Sequence, residues 1–158
     1  GLGPWRGAGQ RPASCEGSGL MASRHVVAEA DEIPPGGRKI VTVRGRQIGV
    51  FNLGGEYHAL INTCPHQGAK LCEGAILSQL VSEQPGDYRL DRHGEIIRCP
   101  WHCWEFDIRT GQSWCDPNDF KARTFHVVVE EGATLAKGPF KAETVSVSVE
   151  RRYVVVEM

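Results

Sequence analysis

Two short segments of the 158-residue chain share a shape: Cys64-Pro65-His66 and Cys99-Pro100-Trp101-His102. Each offers one thiol and one imidazole, with a proline directly after the cysteine. A single Cys or His is ordinarily a buried thiol or a hydrogen-bonded ring. Two parallel pairs 35 positions apart are hard to place that way. A nucleophilic Cys with a His base needs one such pair, not a duplicate. Four donors of these types point instead to metal. Cys₂His₂ is a closed structural zinc set, and zinc stays open as one reading of the residues. In common zinc fingers, however, one element supplies both cysteines and another both histidines. Here each loop supplies one of each, which suits two metal ions with unlike ligands held between two equivalent loops.

The quoted stretches are C-P-H-Q-G-A at 64–69 and C-P-W-H-C-W-E-F-D at 99–107, running on through I-R-T-G to 111. They resemble the C-x-H and C-x-x-H motif of Rieske-type ferredoxins and of the Rieske domains of ring-hydroxylating oxygenases. The resemblance implies one Rieske-type [2Fe–2S] cluster per chain. Cys64 and Cys99 would bind one iron, and His66 and His102 the other. It implies that the far edges of both imidazoles reach solvent and serve as exits for the electron. Around these ligands, Pro65 and Pro100 would stiffen the turns, since proline fixes φ and lacks an N–H. Gly68 would allow close backbone approach, Trp101 would shield the cluster, and Trp104 and Phe106 would pack in the core beneath. The remaining cysteines, Cys15, Cys72, Cys103 and Cys115, are expected to be non-ligands.

The implied function is one-electron transfer from a flavin-dependent NAD(P)H reductase to a terminal oxygenase. The implied fold is all-β: a small sandwich or barrel base with an inserted cluster-binding subdomain at about 62–116. A regulatory or redox-sensing protein using the same cluster, or an accessory Rieske subunit of an oxygenase, is the alternative. The chain itself offers no second catalytic iron site, because His25, His58, His93 and His126 are scattered and no Asp/Glu–His–His set sits at helical spacing. Respiratory Rieske proteins resemble the motif too, but they tie their loops with a disulfide; the matching positions here are Ala69 and Trp101. Their sulfur-directed hydroxyls match Trp104 and Phe106, which have none. Potentials in this family run from about −150 to +300 mV, and losing those hydrogen bonds places this centre near the low end.

Two departures from the family pattern stand out. The spacer between His66 and Cys99 is 32 residues, about twice the family's usual length, and the excess falls in Leu77–Asp91. That stretch is polar and contains Pro85-Gly86, so it reads as an excursion or extra hairpin. Cys103 stands where the family usually has glycine.

Short strands with frequent turn signals must position the two loops. Alternation and turn residues predict strands at Arg24–Ala30, Lys39–Val43, Arg46–Leu53, Tyr57–Ile61, Glu95–Arg98, Trp104–Ile108, Thr124–Glu130, Thr144–Glu150 and Tyr153–Glu157. Pro34-Pro35-Gly36-Gly37 breaks the chain, and no stretch shows a helical period. Residues 1–20 are rich in Gly, Pro and Ser and are expected to lie outside the fold, as a leader or remnant before Met21. Residues 21–158 then form the Rieske domain. Lys plus Arg is 18 against 19 Asp plus Glu, a net charge of −1 that gives no sign of nucleic acid binding. No apolar run approaches the roughly 20 residues of a membrane span. Six cysteines without a secretory signal suggest a reducing, cytoplasmic compartment.

Overall fold

A computed structural model describes residues 23–135, 141–142 and 150–158. The predicted leader at 1–20 and the strand predicted at 144–150 fall largely or wholly outside these residues.

Strand β3 (Arg46–Leu53) explains how one short chain builds two cores. Successive side chains on a strand face opposite sides. Ile48 and Val50 enter one apolar cluster, shared with Val27, Phe125, Val154 and Val156. Phe51 and Leu53 enter a second, shared with Leu71, Ile97, Phe106 and Ile108. Gly49 faces the same side as Phe51, where a Cβ would lie 2.5 Å from Cys72 Sγ. Position 49 therefore has room for glycine only. β4 (Glu56–Ile61) repeats the split, with Ala59 in the first cluster and Leu60 in the second.

The base is a seven-stranded sheet in the order β2-β3-β4-β8-β10-β1-β9. Its other strands are β1 (Arg24–Glu29), β2 (Arg38–Val43), β8 (Thr124–Glu131), β9 (Lys141–Ala142) and β10 (Arg152–Glu157). The pairings are antiparallel except β1 with β9, a two-residue parallel contact that nothing in the sequence announces. Arg44-Gly45 and Gly54-Gly55 turn the β2–β3 and β3–β4 hairpins, with positive φ at all four residues. Asn52 is buried at the second turn. Its amide donates to Ile33 O at 2.8 Å and its Oδ1 accepts from Gly55 N–H at 2.7 Å.

A second, three-stranded sheet, β5-β6-β7, carries the other half of the chemistry. β5 (Ala75–Gln84) and β6 (Asp87–Arg98) form a hairpin through Pro85-Gly86; β7 is Glu105–Asp107. The predicted excursion is thus two long strands. The hairpin has a root and a tip. In the root, Ala75, Ile76 and Leu77 pair with Arg98, Ile97 and Ile96. In the tip, Gln79–Val81 pair with Arg89–Asp91. Between them 92–95 bulge out, with Arg92 at φ +46° and Gly94 at φ +72°. Arg92 ion-pairs with Glu95 and Asp107, and Arg109 bridges Glu95 of β6 to Glu56 of β4. Hydrogen bonds from Arg109 hold the carboxyls of Glu56 and Glu95 below the ordinary carboxylate range. This network stitches the small sheet to the base.

Beyond the bulge, Leu80, Tyr88 and Leu90 are exposed, so the tip adds little to either core. Leu77, placed by its sequence in the insert, belongs to the root. Replacing residues 79–91 by a two-residue Asn-Gly turn should leave the thermal midpoint within about 4 °C of the parent, the shift worth about 1 kcal/mol in a chain of this length. A cooperative transition lost altogether would show that the tip is structural.

Candidate metal centre

The two predicted loops fold alike because each closes on itself through the same pair of backbone bonds. Cys64 N–H donates to Ala69 O at 2.8 Å, and Gly68 N–H donates to Cys64 O at 2.8 Å. In the second loop Cys99 N–H donates to Trp104 O at 2.7 Å, and Cys103 N–H to Cys99 O at 3.1 Å. Each loop is a six-residue unit with a left-handed residue in its fifth place: Gly68 at φ +82° and Cys103 at φ +61°. A Cβ at Gly68 would meet no protein atom within 4 Å, so the protein itself demands glycine there for its φ rather than for space. The family's glycine at position 103 has the same reason. Cysteine occupies that conformation at a cost of roughly 1–2 kcal/mol.

The loops spring from different sheets. The first follows β4; the second joins β6 to β7. Their cysteines meet in the second core, where Cys64 is 2% and Cys99 1% exposed. Burial pushes the Cys64 thiol up, and the neighbouring Cys99 thiol adds to the effect, against the N–H groups of His66 and Gln67. Both thiolates a metal would require are therefore set in a dry pocket, and metal loading must release protons there.

The imidazoles lie outward of the thiols. The His66 and His102 rings are 4.8 Å apart, edge to face at 82°. His66 Nδ1 is buried with no hydrogen-bond partner. An orphaned buried ring nitrogen is costly in a protein alone; a metal-bound one is not. Among the described residues no three Cys, His, Asp or Glu donors are placed to hold a single ion. Two buried thiols side by side and two imidazoles side by side form instead an S₂ pair and an N₂ pair. That donor set fits a two-iron cluster with unlike irons.

Aromatic packing fixes the His66 plane. Trp104 stacks on it at 4.0 Å between centroids and 12° between planes, and Phe120 stands edge-on to both rings. Trp104 also packs against the second core, where Phe106 is wholly buried. Phe120, 54 positions from His66, carries no signal in the sequence that would place it here. Trp101, expected to shield the cluster, is 61% exposed, with its ring edge-on to His102 at 6.4 Å. His102, one residue on, is also exposed. Pro65 is partly buried and Pro100 exposed, each directly after its cysteine.

The other donors lie elsewhere. Cys72 is fully buried against Gly49, and burial pushes its thiol up to about 12. Cys103 and Cys115 are exposed free thiols. His25, His58, His93 and His126 sit on four different strands, β1, β4, β6 and β8. His93 shares a hydrogen bond with Ser78, and His126 pairs with Glu157.

Cys103→Gly should stabilise the protein by about 0.5–1 kcal/mol, because glycine adopts φ +61° without the Cβ clash. Cys103→Val should destabilise it. Urea titrations followed by far-ultraviolet circular dichroism measure both, and a valine variant as stable as the parent would refute the strain.

Residues 23–126 match the Rieske [2Fe-2S] domain. The chain is 29% identical over 107 residues to the ferredoxin component of naphthalene 1,2-dioxygenase/salicylate 5-hydroxylase systems from Ralstonia sp, covering 68% of this chain and 88% of that protein. It is 28% identical over 156 residues to a human Rieske domain-containing protein, covering 87% of this chain and 88% of the other. In structure it is similar, with a TM-score of 0.56 and 25% identity, to a chain of the complex of reduced oxygenase and oxidized ferredoxin in carbazole 1,9a-dioxygenase. That likeness covers 85% of this chain and 92% of the other. With two self-closing Cys–His loops on an all-β base, the chain belongs to the Rieske [2Fe–2S] domain family.

Proposed function

We propose that this chain is a one-electron carrier whose Rieske cluster is held by Cys64 and Cys99 on one iron and by His66 and His102 on the other. One observation carries the ligand assignment. Two buried thiols meet beneath two adjacent imidazoles, and one imidazole keeps a buried, unpartnered Nδ1. When bound, the cluster supplies reversible storage of one electron. The protein does the rest. Phe51, Leu60, Ile97 and Phe106 keep water from the two sulfurs. Trp104 and Phe120 hold the His66 ring in one plane. The exposed His102 leaves a short path from the buried centre to the surface. The ligands lie in a cluster-binding unit at about 62–116, which is braced on the base by Arg109 and completed by Phe51, Leu60 and Phe120 from outside it.

The dioxygenase ferredoxin components among its relatives support a place between a flavin-dependent NAD(P)H reductase and a terminal oxygenase. The structural likeness to a chain of an oxygenase–ferredoxin complex supports the same reading. No described helix is long and apolar enough to cross a membrane. The described cysteines are free thiols, which suits a reducing, cytoplasmic compartment.

Purified protein should be red-brown, hold iron and acid-labile sulfide in equal amounts, and give a Rieske-type EPR signal when reduced. His66→Ala and His102→Ala should each remove or destabilise the cluster, while Cys72→Ser should keep its spectrum. Colourless protein carrying one zinc, or loss of the cluster in the Cys72 variant, would defeat the assignment.

The potential should lie near the low end of the family range, at about −150 mV. Phe106 is fully buried in the core that holds both cysteines and offers no hydroxyl to a sulfur. Phe106→Tyr should raise the midpoint if its hydroxyl reaches one. Protein-film voltammetry gives both values, and a parent midpoint well above zero would exclude the low-potential assignment.

A further inference from the structure

Beside the first ligand loop runs a groove of about 480 Å³ with an uneven lining. Thr63 and Pro65 form one wall, and Pro65 lies between Cys64 and His66. Arg46, Lys121 and Arg123 form the others. No acidic residue lines it. All three cations are exposed, and among the described residues none makes an ion pair. Arg123 lies over the Phe125 ring at 5.1 Å, a contact that holds the guanidinium in place without neutralising its net charge. Near the second loop and the junction of the sheets the cations are paired instead: Arg98 with Glu105, Lys70 with Glu73, and Arg109 with Glu56 and Glu95.

The three positions converge from three parts of the chain. Arg46 opens β3, Lys121 follows the aromatic Phe120, and Arg123 precedes β8. Ile61 N–H donates to Arg123 O at 2.9 Å, tying the end of β4 to the segment before β8 that carries two of the cations. A chain of net charge −1 thus sets three exposed cations without an ion pair in one groove, next to a proposed iron ligand.

We propose that this groove is the docking surface for an acidic patch on the electron-transfer partner. The proposal rests on the electron-carrier reading. Electron transfer needs a partner held close to the imidazole edges, and complementary charge supplies both encounter rate and register. Three cations in one short groove suit a few carboxylates on a protein. Nucleic acid binding draws on a longer run of contacts, of the order of 6–10 phosphates.

Small redox complexes of opposite charge test the sign of this surface in the full cluster-loaded chain. Chemically reduced protein is mixed with hexacyanoferrate(III) or with hexaamminecobalt(III) in a stopped-flow instrument. Each oxidant takes one electron from the cluster and becomes hexacyanoferrate(II) or the cobalt(II) complex. Overall charge predicts that salt speeds the reaction of the anion. The groove predicts the reverse: the hexacyanoferrate rate should fall about tenfold from low to high ionic strength. The cobalt rate should rise or stay level. Poly-L-glutamate, standing in for an acidic protein surface, should slow hexacyanoferrate at low salt.

Arg46→Glu/Lys121→Glu should reverse the salt dependence while leaving the EPR signal intact. Arg46→Gln and Lys121→Gln, milder changes at the same exposed sites, should each weaken it. A parent rate that rises with salt for the anion, or a charge-reversed variant with the parent's slope, would overturn the proposal. So would a DNA duplex that slows the reaction more than poly-L-glutamate at equal charge. Protein with no cluster spectrum before mixing would instead defeat the carrier reading, and the docking proposal with it.

Discussion

Everything in this molecule turns on drying two sulfurs that sit on irregular loops. A loop normally runs over the surface because its backbone groups need partners. Here both loops satisfy part of their own backbone, each through one bond into its cysteine amide and one onto its cysteine carbonyl. That self-sufficiency lets Cys64 and Cys99 sink into a core without strand partners. The core must then come from two sheets at once, because the loops start from different ones. Phe51 and Leu60 arrive from the base, and Ile97 and Phe106 from the small sheet. Arg109 and its carboxylates lock the two sheets at the far side of the same junction.

The outward half of the centre follows different physics. The histidines are held by aromatic contact, not by backbone closure. His66 stacks on the Trp104 face with the Phe120 ring edge-on to both, while His102 stands in solvent beside the exposed Trp101. The two imidazoles are therefore unlike in packing and exposure, although the loops beneath them are nearly equivalent. The offset has a simple source. His66 is two residues after its cysteine and His102 is three, so the same backbone path presents the two rings at different heights.

What could be read from the residues beforehand divides along the same line. The ligand loops were readable because each is local: cysteine, proline, histidine and turn residue fall within six positions. The β2–β3–β4 strands were readable because their turns carry Gly and their cores alternate. The hairpin tip is not legible as long strands because both of its faces meet solvent and leave no period-two contrast. Phe120, the Trp104 stack and the exposure of Trp101 depend on contacts between distant segments, which spacing along a chain does not encode. Cys103 sits between these cases. Its departure from glycine is visible, but its meaning needs the backbone conformation, φ +61°.

The double burial of β3 couples properties that are usually separable. One face of the strand sustains the base, and the other lines the sulfur pocket, with Gly49 pressed against Cys72 between them. Substitutions there cannot trade folding against cofactor retention, since a shift of the strand disturbs both. In a lineage of variants, bleached colour and a lowered melting point would be inherited together through β3. Changes in the hairpin tip would drift free of both, which makes the tip the part of this protein where sequence can diverge fastest.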